Sequence, residues 1–165
     1  MKKIITIAIA IICCAVSVVS LAEPYEPADD SAVADTIAML EAQYSTLEGQ
    51  IVWADEEEFA VYEVFKKEAG TYTTSIGKIK PIVIGIATVV RSKEDSSFVR
   101  VETLPYIEIV ASNADWDGGD FSINNDESGI VRISSVGCFF RGLATSSKPP
   151  VKSENVTVAV YVNFE

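Results

Sequence analysis

The chain has 165 residues, 48% of them hydrophobic and 22% charged, with a formal net charge of −11 and no histidine. That composition belongs to a globular protein, and one domain is the expectation at this length. Without histidine there is no Ser-His-Asp triad, no His-ligated zinc and no imidazole general base. The acidic balance also argues against nucleic acid as a partner, since phosphate backbones are repelled.

Met1-Lys2-Lys3 opens the chain, an apolar run follows from Ile4 to Val19, and Ser20-Leu21-Ala22 closes it. A basic start, an apolar core and small residues at −3 and −1 form the pattern of a secretory signal peptide over 1–22, cut after Ala22. The apolar run falls short of the roughly 20 residues that span a bilayer. No later run is longer than Ile82–Val90, so no membrane span is expected after cleavage. The expected location is secreted or periplasmic. Cleavage leaves 143 residues, removes two lysines and no acid, and moves the charge from −11 to −13. Of three cysteines only Cys138 remains, which rules out an internal disulfide in a compartment that permits them.

Residues 23–30 are acidic and proline-punctuated, a flexible lead-in. The segment 31–70 reads as a helical hairpin. In its first arm Val33, Ile37, Leu40, Tyr44, Leu47 and then Ile51 alternate spacings of four and three, a heptad stripe ending near Gly49. The second arm, 55–69, has Asp55 and Glu58 at capping-box spacing, Lys66 and Lys67 in its last turn and Gly70 after it. Against that stands the run Phe59–Phe65, rich in strand formers.

From Thr71 the period becomes two. Ile82–Val90 is apolar on both faces, as in a buried strand interrupted by Gly85. Val99–Thr103, Tyr106–Val110 and Ile130–Phe140 read as further strands. In Val156–Phe164 the four valines and Phe164 share one face. Turn chemistry marks Ser92–Ser97, Asn113–Gly119 and Ser146–Pro150. The expected class is α+β: an N-terminal helical hairpin followed by a mostly antiparallel sheet or sandwich over 71–165.

The best local motif is Asn113-Ala-Asp115-Trp-Asp117-Gly118-Gly119-Asp120. Asx residues at alternate positions before glycine resemble the opening of a calcium loop, where hard oxygens converge on a hard cation. Asn113, Asp115, Asp117, Gly119 and Asp120 are therefore candidate ligands for Ca2+, although position 12 is Asn124 and not a bidentate glutamate. The competing reading is a solvated acidic turn. Trp116 in the same segment is a candidate platform for a carbohydrate or protein partner; the more frequent fate of a loop indole is to fold back on its own sheet. Trp53 reads as core. Cys138, flanked by Phe139 and Phe140, reads as a buried inert thiol, with an intermolecular disulfide as the alternative for an odd cysteine.

The expected function is a non-catalytic structural or binding protein of the cell envelope or extracellular space. A self-assembling surface or fibre subunit is the first alternative, as a homo-oligomer built through the helix stripe or the C-terminal strand edge. A small hydrolase using paired carboxylates is the second. N-terminal sequencing of the exported protein should begin Glu23-Pro24-Tyr25; a retained Met1 would make 1–22 an anchor instead.

Overall fold

The computed structural model describes residues 30–126, 128–142 and 149–165. The signal peptide, nearly all of the acidic lead-in and residues 146–148 of the last turn lie outside them. In chain order the elements are α1 (Asp30–Ser45), β1 (Ile51–Ala54), β2 (Glu58–Glu68), β3 (Tyr72–Thr74), β4 (Gly77–Ile79), β5 (Ile82–Ser92) and β6 (Phe98–Val110). They continue as β7 (Asp115–Gly118), β8 (Ser122–Asn125), β9 (Ile130–Arg141), β10 (Val151–Lys152) and β11 (Val156–Asn163).

The strands form two antiparallel sheets and a small β3–β4 hairpin. The front sheet has the order β1-β2-β5-β6. The back sheet is centred on β9, with β7 and β8 in succession along one edge and β10 and β11 along the other. β2 touches β11, and β6 touches β7 and β8, so the sheets curl toward each other as a half-barrel. Between them lies the main core. Phe65, Val83, Ala87 and Val89 of the front sheet meet Phe139 and the Val158–Val160–Val162 row of the back sheet. The alternation read from Val156 to Phe164 is realised, with Val158, Val160, Val162 and Phe164 all buried.

β5 is buried on both faces, as its composition requires. Its inner residues enter the main core. Its outer residues Ile84 and Ile86 lie under α1, against Val33, Ile37, Leu40, Tyr44 and Leu47. The heptad stripe is thus satisfied within the chain, and Ile51, its expected continuation, stands exposed in β1. The stripe of α1 is not free to pair with a second copy.

The expected second helix is a strand. β2 pairs with β5 along its whole length, from Glu58 opposite Ser92 to Glu68 opposite Ile82. An apolar strand buried on both faces needs hydrogen-bonded neighbours at both edges, and the aromatic and β-branched run Phe59–Phe65 supplies one. The capping signal at Asp55 is genuine but serves a turn: its Oδ1 accepts from the N–H groups of Glu57 and Glu58 at 2.9 and 2.8 Å, closing the β1–β2 connection. Those same N–H groups, Glu58 first, hold the Asp55 carboxyl below its ordinary pKa. Trp53 is half-buried on edge strand β1, not in the core, and its Nε1 donates to Glu102 Oε2 at 2.9 Å.

Arg91 ties four parts of the fold together. Its Nε donates to Glu63 Oε1 at 2.8 Å, its Nη2 to the Phe164 carbonyl at 2.6 Å and its Nη1 to the Ser96 carbonyl at 3.1 Å. β2, β5, the β5–β6 turn and the chain after β11 therefore share one guanidinium. Its side chain and that of Glu63 are both mostly buried, so removing it strands a carboxylate in poor solvent. Arg91→Ala should cost about 3 kcal/mol in a urea melt. Lys66→Ala, which breaks the exposed pair with Glu41, should cost less than about 0.5 kcal/mol.

Candidate functional site

The structure places the middle of the segment 113–120 in a strand and not in a loop. Asp115–Gly118 is strand β7, paired with β9 from Asp115 opposite Phe140 to Gly118 opposite Gly137. A strand sends alternate side chains to opposite faces, and this sorts the candidates. Asp115 and Asp117 stand on the outer face, one strand repeat apart, and do not converge. Asp117 is instead paired with Lys152 Nζ at 2.6 Å, across β9. The hydrogen bond to Asp117, then the charges of Asp117 and Cys138, raise the pKa of the Lys152 ammonium. Asn113 turns away: its Nδ2 donates to the Lys78 carbonyl at 3.0 Å, and its own carbonyl accepts from Arg141 Nε at 2.7 Å. Gly119 continues the ladder, its N–H bonded to the Val136 carbonyl and its carbonyl to Ser135 Oγ. Asp120 is exposed in the β7–β8 connection. Among the described residues no group of three or more His, Cys, Asp or Glu is placed to hold a metal ion.

Trp116 points inward, so it is no exposed platform. Its ring packs edge-on to Phe139 with centroids 4.9 Å apart. The indole lies over a cross-strand glycine pair: a Cβ at Gly118 would come within 2.2 Å of Trp116 Nε1, and one at Gly137 within 2.7 Å of its ring. Both glycines are there to admit the ring. Trp116 Nε1 is buried and has no hydrogen-bond partner among the described residues. Cys138 is free and buried, on the outer face of β9 beside the Asp117–Lys152 pair. That placement fits an inert thiol.

These residues line one side of a seam. β6 and the β7–β8 edge are consecutive in the chain and run antiparallel past each other, yet no backbone ladder joins them. The Ala111–Ala114 connection closes the seam at one end. At the other Asn125 acts as a surrogate strand: the Val101 N–H donates to its Oδ1 at 2.7 Å, and its Nδ2 donates to the Val101 carbonyl at 3.0 Å. Between these closures β6 bulges. Ile86 faces Tyr106 and Thr88 faces Thr103, so Leu104 and Pro105 together oppose Ala87. Pro105 brings no N–H to the seam. The result is an open slot of about 480 Å³ lined by Leu104, Ile107, Phe121 and Ile123, with Gly118 and Gly119 on one wall and Asp120 as the one charged residue among its described lining.

A second cleft of about 330 Å³ continues from the Ala111–Ala114 end, between Ala32, Val33 and Thr36 of α1 and Glu108, Asp115 and Trp116. None of the apolar slot residues carried a site signal in the sequence. The one available clue was Pro105 between two strand runs, which reads as a break but makes a bulge.

The carboxylates with displaced titration close turns and connections. Ser97 lowers the pKa of Asp95, and the Ser75 N–H, at 2.9 Å from Oε2, lowers that of Glu154. Neither position holds a proton ready to donate. The chain matches no family model, no curated protein and no solved structure.

Millimolar calcium should leave the melting temperature within about 1 °C of its value in EDTA, whereas a site filled at a hundred times its dissociation constant adds about 2.7 kcal/mol and several degrees. A calcium-dependent rise that Asp117→Ala abolishes would re-establish the segment as a cation site.

Proposed function

We propose that this chain is a non-catalytic binding protein of the periplasm or extracellular space, and that its site is the slot between β6 and the β7–β8 edge. The observation that carries this reading is an open groove formed by the half-buried Leu104, Ile107, Phe121 and Ile123, which pack on the main core, in a molecule of net charge −11. Apolar lining left accessible in a curled sheet is the usual material of a recognition site.

The chemistry of the slot selects a peptide segment that is apolar and basic. Leu104, Ile107, Phe121 and Ile123 suit aliphatic or aromatic side chains. Asp120 at the slot, with Asp115 and Glu108 at the adjoining cleft, favours lysine or arginine on the partner. The field of the whole acidic chain steers such a segment in. A sugar is less well served, because the Trp116 indole has its face on Gly118 and Gly137.

An alternating lysine–leucine decapeptide titrated against the purified protein should change Trp116 fluorescence and saturate. Phe121→Ala, which keeps every charge, should weaken binding roughly tenfold through lost apolar contact, and Asp120→Asn should weaken it a few-fold at low salt. A glutamate–leucine decapeptide should not bind. Equal affinity for the wild type and Phe121→Ala would reduce the interaction to surface charge and remove the slot as its site.

A further inference from the structure

The two outer faces of the half-barrel are treated differently. The front sheet's face is covered by α1. Over the back sheet's outer face no described element packs, and Ile130, Val136 and Tyr161 stand there 43, 57 and 63% exposed. We propose that this face is where two copies of the chain associate, sheet against sheet. The proposal is independent of the slot, which opens at the sheet's edge.

Charge identifies the occupant. The chain as a whole is strongly acidic, but the charged side chains that the described strands turn to this face are Arg132 and Lys152 against Asp115 and Asp117, which balance, with Glu165 beside Asn163 at its end as one further acid. The Lys152–Asp117 pair neutralises itself near one end of β9, and Arg132 Nη1 is engaged by Ser134 Oγ at 3.0 Å. The middle rows hold Ser122, Ser134 and Ala159, then Val136 beside Thr157. A foreign partner drawn to an acidic protein would be met by an acidic surface. Two acidic copies come together most readily where neither presents much net charge, and a nearly neutral face with an exposed tyrosine and valine meets that condition.

Area sets the strength. Three strands about 4.8 Å apart, over the length of β9, offer roughly 500 Å² per copy, hence roughly 1,000 Å² in a dimer. That lies at the lower end for specific association, so the dimer forms at roughly tens of micromolar and above and not at nanomolar concentration. Repulsion between the acidic bodies opposes it, and salt relieves that repulsion.

Sedimentation equilibrium of the purified protein from 5 to 500 µM, in 0.05 and 0.5 M NaCl, tests this. The weight-average mass should rise toward twice the monomer with concentration, and rise further at the higher salt. Tyr161→Glu and Val136→Glu should hold it at the monomer, while Ile51→Glu, exposed on β1, should leave association unchanged. If either glutamate variant loses its cooperative melt, Thr157→Lys on the same face reads the same contact. A monomer at 500 µM in both salts would overturn the proposal. So would association that these face variants leave intact, or that higher salt weakens.

Discussion

β5 is the constraint on which the rest of the structure depends. Nine consecutive residues from Ile82 to Val90 are apolar apart from Gly85 and Thr88, and Val83 to Val90 are buried throughout. Fully burying side chains such as Ile84, Ile86 and Val89 stabilises the fold by about 2 kcal/mol each. It also obliges the chain to cover both faces and pair both edges, since a buried backbone group without a partner forfeits much of that gain. β2 and β6 take the edges, α1 the outer face and the back sheet the inner one. Gly85 belongs to the same constraint: a Cβ there would lie 2.6 Å from the Tyr106 carbonyl oxygen and 3.0 Å from the Phe65 ring.

Where local pattern and tertiary demand agree, the fold was legible. β5, β9 and β11 follow from apolar periodicity, and α1 from its stripe, which packs on the chain's own sheet. β2 reads as a helix because Asp55 before Glu57 and Glu58 satisfies the same N–H groups at a helix start and in an Asx turn; its partners in β5 lie between 14 and 34 residues away in sequence. The Asn113–Asp120 motif misled for a related reason. Alternate Asx residues read as a converging loop unless one knows that a glycine of β9, Gly137, lies opposite Gly118 and admits Trp116, which fixes the segment as a strand. Val99–Thr103 and Tyr106–Val110 read as two strands, whereas they are one, because the bulge at Leu104–Pro105 that joins them depends on the register against Ala87. In each case the missing information was a partner distant in sequence.

The acidic charge bears on both proposed surfaces with opposite sign. At the slot it attracts, because the neighbouring carboxylates of Asp120, Asp115 and Glu108 add to the field of the whole molecule. At the outer face of the back sheet it repels, because there the bodies of two copies approach. Salt therefore distinguishes the two: screening weakens capture of a basic segment and strengthens self-association. On these two proposals a single acidic balance separates recognition of a partner from recognition of self, without requiring the two surfaces to communicate.

The seam itself shows why polar side chains are needed in a fold held mainly by apolar packing. Burial is non-directional and cannot set how far apart two unpaired strand edges stand. Hydrogen bonds can. The Asn125 amide meets both backbone groups of Val101, replacing one rung of a ladder that would otherwise close the whole seam. At the other end Asn113 and Arg141 pin the start of β7 to the β3–β4 hairpin and to the end of β9. Between these fastenings β6 bulges at Leu104–Pro105, where its register against β5 shifts and proline lacks an N–H. The seam is thus bridged to β6 by the Asn125 amide at one end and bounded by the Ala111–Ala114 connection at the other, so its directional contacts come from an amide side chain and not from the hydrophobic residues that line it.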